Sequence, residues 1–414
     1  TVGGAFAIMV ADNMTDARIG MGTALNLAGD VNVNANHHGD STTSADGTAV
    51  GTDAAVGVAL ALAFVDDTAD ASLSRDVTAD TIGLAANGDG SSIVTSKSSA
   101  KGEDDGAASN SDAQKDSATT LANSKSGKSK GTSQSASTSD GMGGGDNVGV
   151  AAALALNVSD SIADASITDA ITINGDLTLA ASNNMDAKAD ADGSATGTLA
   201  TGVGVAVAIN VAGMDNLAEL GAGATVNGGL AASATMKNVN GNTAHDFDAI
   251  AVSGASATDT GVAGSFALNF VDSDTTSTLS GTVNAGSDAV SLTAASTSTS
   301  DVSATASATG DTGVGASVAI NITDQFASAA IADSGVVSGG SGLTLNATGS
   351  HENTTLAKGG AGDNGSGGAT SVGGAFAITV ADHVTDASIG ANATGINVGA
   401  GLVSATATHH GKTT

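Results

Sequence analysis

Bulky and small residues alternate strictly along residues 203–211. Odd positions carry Val or Ile, and even positions carry Gly, Ala or Asn. A period of two residues is that of a β-strand, whose successive side chains point to opposite faces. This strand therefore has one bulky apolar face and one face of small residues. We expect the bulky face to form the core, and the small face to pack closely on another sheet or to meet water.

The same segment, called the repeated phrase below, occurs seven times. Its copies begin at Val2, Val56, Val150, Val203, Val262, Val314 and Val372. Their spacings are 54, 94, 53, 59, 52 and 58 residues. Repeats at such a period indicate stacked supersecondary units rather than one globular core.

The rest of each repeat also has the pattern of short strands. An Asp-containing turn is predicted after the phrase, then a short strand such as residues 15–19, a Gly-containing turn, and a strand such as residues 342–346. No segment has the periodicity of a helix. We predict an all-β fold, a repetitive β-solenoid of the parallel β-helix type. A repeat of 52–59 residues suggests about two coils per repeat, because one compact coil is shorter.

Composition narrows the function. Pro, Cys, Trp and Tyr are absent and the net charge is −30, so a thick core, a disulfide framework and a nucleic-acid partner are disfavoured. No apolar run reaches the roughly 20 residues that span a bilayer. Acidic residues are abundant, yet no catalytic constellation stands out, so an enzyme is not expected.

One region interrupts the repeats. We divide the chain into residues 1–84, with repeats 1 and part of 2, an insert at 85–147 rich in Ser, Gly and Lys, and residues 148–414, with repeats 3–7. The insert region holds half of the basic residues. They are Lys97, Lys101, Lys115, Lys125, Lys128 and Lys130. Insertions in repeat proteins often form binding faces, so these lysines are candidates for contact with an acidic neighbour such as another copy of the chain. The alternative is a flexible polar loop.

Asn recurs at the eighth position of four consecutive phrases. The residues are Asn157, Asn210, Asn269 and Asn321. Identical amides at equivalent positions predict a stacked ladder, whereas two coils per repeat would separate them. The alternative is a polar residue near a strand end. The histidines carry less signal: adjacent residues such as His37 and His38 point to opposite faces of a strand, and His245, His351 and His383 are expected to be solvated.

Asp pairs recur at a fixed spacing in four repeats. They are Asp12 and Asp16, Asp66 and Asp70, Asp160 and Asp164, and Asp382 and Asp386. Carboxylates clustered around a turn suit Ca²⁺, so structural calcium is a candidate ligand, although no cofactor is otherwise expected. The glycine-rich nonapeptide of calcium-binding β-rolls does not recur. Turn formation by Asp is the alternative.

The first and last repeats match closely: residues 1–20 and 371–390 agree at 15 of 20 positions. Terminal repeats of a finished solenoid are normally atypical caps. We therefore expect a longer period of about 370 residues, with the chain as a fragment of a larger repetitive protein or a subunit that pairs end to end.

The phrases at residues 204–211 and 315–322, with their Leu-Thr-Leu strands, resemble the repeat regions of giant bacterial exoproteins. These include filamentous-haemagglutinin-like adhesins and large leukotoxin-like surface proteins. The resemblance implies a secreted, cell-surface β-helical rod. It favours a structural segment of an extracellular fibre or adhesin stalk that associates with copies of itself. The alternative is a binding module that recognises a protein or glycan through the insert or the small-residue face.

Overall fold

The computed structural model describes residues 1–51, 53–101, 147–362, 370–393 and 395–414. Every regular element within these ranges is a β-strand, and the strands of successive repeats pair in parallel. The prediction of an all-β fold with parallel strands is confirmed. In chain order the strands are β1 (Val2–Ile19), β2 (Leu25–Asn26), β3 (Val31–Val50), β4 (Ala54–Leu73), β5 (Val77–Lys101), β6 (Val148–Ile167), β7 (Thr172–Leu220), β8 (Thr225–Asn227), β9 (Leu230–Met236), β10 (His245–Leu279), β11 (Thr282–Gly286), β12 (Ala289–Thr309), β13 (Thr312–Ile331), β14 (Val336–Gly339), β15 (Gly342–Gly362), β16 (Thr370–Ile389), β17 (Gly395–Asn397) and β18 (Leu402–Thr413).

These strands form three parallel stacks. The first sheet contains the repeated phrases: β1, β4, β6, residues 201–220 of β7, residues 260–279 of β10, β13 and β16. The corner strands are β2, residues 77–78 of β5, residues 172–174 of β7, β8, β11, β14 and β17. The second sheet contains β3, residues 81–101 of β5, residues 176–196 of β7, β9 with residues 245–256 of β10, β12, β15 and β18.

Pairing joins equivalent residues of successive repeats. Val2 pairs with Val56, and Val56 pairs with Val150. Since ladder neighbours are one full repeat apart, no second coil lies between them, and the prediction of about two coils per repeat is wrong. A long repeat fits one layer because its strands are long, for example 20 residues in β4. Six spacings of about 4.8 Å separate the first layer from the seventh by roughly 30 Å.

The predicted turn after the phrase is also wrong. Strand β1 runs without interruption through Asp12 and Asp16 to Ile19. The alternation continues past the Asp, so side chains keep pointing inward and outward in turn along the whole strand. The Gly-containing turn before the second sheet is present: Gly286, Gly339 and Gly399 have φ of 60°, 79° and 59°, in the left-handed region that favours glycine.

The two faces of the phrase are reversed relative to the sequence prediction. Ala206 and Ala208 are fully buried, whereas Val205, which directly precedes Ala206, is 39% exposed. The reason is the close approach of the two sheets. A Cβ on Gly204 would lie 2.1 Å from the carbonyl oxygen of Gly254 in the second sheet. The inward positions of the phrase therefore carry mostly Gly, Ala and Ser, and the bulky residues face outward.

The aliphatic core lies at the other end of each layer. There the first sheet, the corner strands and the start of the second sheet diverge and enclose larger residues, among them Ile173, Leu179 and Leu220. All three are fully buried. An Ala-rich cluster fills the narrower middle of the layers.

The insert begins later than predicted. Strand β5 extends to Lys101 and pairs with β3 and β7 along residues 82–101, so these residues belong to the second sheet. The first sheet resumes at Val148 in β6. Residues 102–146 lie outside the described part of the chain.

Candidate functional site

Five columns of apolar residues cover the outer side of the first sheet. A column is the set of seven residues at one phrase position, and each is named here after its member in the first repeat. The Val2, Gly4, Phe6, Ile8 and Val10 columns contain only Val, Ile, Leu, Phe, Ala and Gly. Together they form what we call the outer apolar face.

This face is exposed. Phe64 in the second repeat and Phe270 in the fifth expose 40% and 45% of their surface, and Phe376 in the last repeat exposes 56%. Column spacings of about 6.6 Å and layer spacings of about 4.8 Å give the face an area of roughly 1,000 Å². Exposed apolar patches on soluble monomers rarely exceed a few hundred Å², so a face of this size is a candidate binding surface.

The face has a shallow groove beside a ridge. The Gly4 column is Gly or Ala in five repeats, and Val58 and Val205 occupy the other two. A Cβ on Gly4, Gly264 or Gly374 would meet no atom within 4 Å. The Ile8 column, which the Phe6 column separates from the Gly4 column, is Ile or Leu in every repeat. One column of mostly small residues therefore lies among four columns of larger side chains.

Acidic columns border one side of the face. Asp12, Asp66 and Asp160 pair in successive layers, and Asp272, Asp324 and Asp382 continue the column beyond Gly213. Stacked carboxylates about 4.8 Å apart repel one another. Burial, and after it the neighbouring Asp66, raises the pKa of Asp160.

The Asp16 column behaves in the same way. Burial and then Asp16 raise the pKa of Asp70. Burial, assisted by Asp70 and Glu219 and opposed by a hydrogen bond from Ser166, raises the pKa of Asp164 to about 6. Asp215, in the column between, has its pKa raised to about 6 by burial and by Asp274. Asp70, Asp164 and Asp215 therefore hold their protons more tightly than isolated carboxylates do.

The structure does not bring the predicted calcium pairs together. Asp12 and Asp16 lie on one continuous strand, and four residues of strand separate them by about 13 Å. The same holds for the pairs in the second, third and seventh repeats, which occupy equivalent positions in β4, β6 and β16. The closest acidic neighbours are instead those of adjacent layers. Within the described residues, no group of three or more His, Asp or Glu is arranged to hold a metal ion.

The four predicted ladder residues occupy paired positions in consecutive layers and are fully buried. Asn157 Nδ2 donates to Asn210 Oδ1 over 3.0 Å. Each Asn also donates across the interior to a carbonyl oxygen of the second sheet. The acceptors are Ser92 at 3.1 Å for Asn157, Ala187 at 3.1 Å for Asn210, Phe247 at 2.8 Å for Asn269 and Ser300 at 3.1 Å for Asn321. These amides therefore connect the two sheets where the interior is narrow.

Most of the histidines expected to be solvated are inside. His245 and His351 are buried, and His383 is partly buried. The rings of His351, His383 and His409 lie 4.8–5.7 Å apart between centroids, at the last two layers. Burial, and then the neighbouring histidines, lowers the pKa of His351 to about 3. His351 is therefore uncharged at neutral pH.

The first His pair follows the alternation rule. His37 points inward, where its Nε2 lies 3.1 Å from Asp67 Oδ1, and His38 points outward, where its Nδ1 lies 2.7 Å from Asp89 Oδ2. The two rings therefore face opposite sides of the second sheet.

The predicted lysine contacts fall mostly outside the described residues. Lys115, Lys125, Lys128 and Lys130 lie in 102–146. Lys97 is on the outer side of β5, at a register position between Asp46 and Asp192 of the adjacent layers. Lys101 is the last residue of the same strand. The small-residue face, the other proposed binding surface, is buried between the sheets and is not available to a partner.

Sequence reasoning missed the outer apolar face because it placed the larger side chains in the core. A signal was present: Gly recurs in the second sheet at Gly47, Gly193, Gly254 and Gly360, opposite the phrases. A Cβ on Gly47 or Gly193 would lie within 2 Å of a first-sheet carbonyl oxygen.

No helix in the described part of the chain is long and apolar enough to cross a membrane. Comparisons with protein-family models, with curated proteins and with solved structures gave no match. The surfaces described above, rather than a relative, are therefore the basis for a functional proposal.

Proposed function

We propose that the chain is a β-solenoid segment of a long extracellular fibre or adhesin stalk, with one coil per repeat, continued along its axis by further repeats or by further copies. The observation that carries the proposal is the open edge at each end of the stack. Among the described strands, β1 pairs only with β4 of the second layer, and β16 pairs only with β13 of the sixth layer.

These edges are long and regular. Strands β1 and β16 contain 18 and 20 residues, and neither contains Pro. Natural proteins usually protect edge strands with Pro, bulges or short length, because an unprotected edge pairs with another strand. The residues on both edges follow the pattern that pairs throughout the stack, so a further layer would add with the same register.

The end layers also expose residues that are buried elsewhere. Ala377 in β16 is exposed, although Ala319, its partner in the layer below, is fully buried. Covering the interior of the last layer with another repeat would bury this apolar surface. The near identity of the first and last repeats supports the same continuation, since a repeat resembling the first already stacks on the sixth.

The test is electron microscopy and fibre diffraction of purified chain at rising concentration. We expect filaments with a repeat of about 4.8 Å along the long axis. In Ala377→Lys, an inward-pointing charge on the edge layer should block axial growth and leave the fold intact. Gly374→Lys changes an outward residue of the same strand and is the control for axial growth. If the wild-type chain remains a single stack at all concentrations and A377K behaves in the same way, copies of the chain do not assemble along the axis.

A further inference from the structure

We propose that the outer apolar face binds the same face of a second copy of this chain, so that two stacks lie side by side and run in the same direction. This lateral pairing goes beyond axial continuation and does not depend on it. It rests on the area of the face, the position of its acidic border and the sizes of its columns.

The area matches a stable interface. Standard protein interfaces bury about 800 Å² per partner, and the outer apolar face offers roughly 1,000 Å². No charged residue occurs within its five columns. Two flat sheets pack face to face at about 10 Å, so the same face on another copy covers it over its whole length.

Charge selects the orientation. Face-to-face copies are related by a two-fold axis that runs either along the strands or along the stack. An axis along the strands would place the Asp12 column of one copy on that of the other, and like charges in contact cost energy. An axis along the stack, through the Phe6 column, moves the two Asp12 columns to opposite sides of the interface, more than 20 Å apart by strand geometry.

The residues opposite the acidic border are then uncharged, and in the last four layers they are Thr. With this axis, the Asp12 column faces the position two residues before Val2. From the second layer to the seventh, that outward position holds Ala54, Val148, Thr201, Thr260, Thr312 and Thr370. A Thr hydroxyl donates hydrogen bonds to carboxylates. In the parallel arrangement Asp272, Asp324 and Asp382 therefore each face a Thr, whereas in the antiparallel one carboxylates would meet carboxylates.

Side-chain size selects the same orientation independently. The axis along the stack places the Gly4 column of one copy opposite the Ile8 column of the other, so the open space beside Gly264 and Gly374 meets Leu or Ile. The axis along the strands would place groove on groove and ridge on ridge. Interiors pack at the density of organic crystals, so the complementary arrangement is favoured.

The first measurement is sedimentation velocity of the whole chain at 0.5 M NaCl, where screening weakens repulsion between copies of net charge −30. We expect a dimer. Phe266→Asp and Val207→Asp, at the centre of the face, should each raise the dissociation constant by roughly tenfold or more. The control, Thr178→Asp, adds the same charge to the outer side of the second sheet, where Thr178 is exposed, and should leave the constant unchanged. Circular dichroism confirms that each variant is folded.

Orientation is tested with a short bismaleimide cross-linker, since the chain has no Cys. Val318→Cys lies on the proposed axis in the sixth layer, so it should cross-link to its own counterpart. In the antiparallel arrangement it would face Leu60 of the second copy, and V318C would react only when mixed with Leu60→Cys. Cross-linking in that mixture alone would overturn the proposed orientation.

The proposed pairing would be overturned if the chain were monomeric at all salt concentrations. It would also be overturned if the chain instead bound phosphatidylcholine vesicles in a flotation assay. The axial variant separates the two proposals. If A377K forms dimers but no filaments, lateral pairing occurs without axial growth. If F266D forms single filaments but no dimers, axial growth occurs without lateral pairing.

Discussion

The inward position of the small face leads to a sharp prediction for two glycines of the first sheet. Gly204 points inward and Gly264 points outward in the next layer. We propose the same substitution, Gly→Ala, at each. The added methyl group is identical, and both residues lie within long strands without a positive φ. The pair therefore reports which face of the sheet lies against the second sheet.

The two effects should have opposite signs. In Gly204→Ala the Cβ would lie 2.1 Å from Gly254 O and 2.6 Å from Gly193 O, so the sheets must separate by about 1 Å. Overpacking of this kind costs about 3 kcal/mol. In Gly264→Ala the Cβ meets nothing within 4 Å. Ala restricts the unfolded chain more than Gly does, so this variant should be more stable by about 0.5–1 kcal/mol.

Far-UV circular dichroism during urea unfolding measures the stabilities, because the chain has neither Trp nor Tyr for fluorescence. Repeat proteins often unfold in parts, so hydrogen exchange with mass spectrometry should accompany it. Gly204→Ala should lose protection in the adjacent layers first. An unchanged G204A together with a destabilised G264A would show that the bulky face, not the small one, is inside.

Three further outcomes are expected. Asn269→Ala removes the hydrogen bonds to Phe247 O at 2.8 Å and to Ser300 Oγ at 3.0 Å, and should cost about 2 kcal/mol in urea unfolding, whereas Asn284→Ala on an exposed corner strand should cost under about 0.5 kcal/mol. Folding raises the pKa of Asp164 and Asp215 to about 6, so the folded chain holds these two protons more tightly than the unfolded chain does. The resulting stabilisation is complete below about pH 4 and is lost as pH rises through about 6, so the melting temperature should be higher at pH 5 than at pH 7.5. Asp164→Asn should reduce this dependence of the melting temperature on pH. Calcium, the ligand predicted from the Asp pairs, should leave the melting temperature at pH 7.5 unchanged, because strand β1 holds Asp12 and Asp16 about 13 Å apart; a higher melting temperature that a chelator reverses would contradict this expectation.

Several features of the fold follow from the sequence alone. The alternation at residues 203–211 determines a strand, and its recurrence determines stacking in register, because equivalent residues of every repeat have the same neighbours. The positions of the four buried Asn also follow from that recurrence, although their main acceptors, carbonyl oxygens of the second sheet, do not. The absence of a helical period also predicted, without any knowledge of the tertiary structure, that the residues now described contain no helix.

The side of the strand that faces inward was decided only by the tertiary structure. Alternation separates Val205 from Ala206, but it does not state how far apart the two sheets lie. That distance is set by glycines brought together from distant parts of the chain, such as Gly204 and Gly254, whose backbones approach too closely for a side chain between them. The tertiary structure likewise made Asp12 and Asp16 part of one strand, because the stacked backbone hydrogen bonds extend past the Asp, and a local preference for turns is weaker than a ladder shared by seven layers.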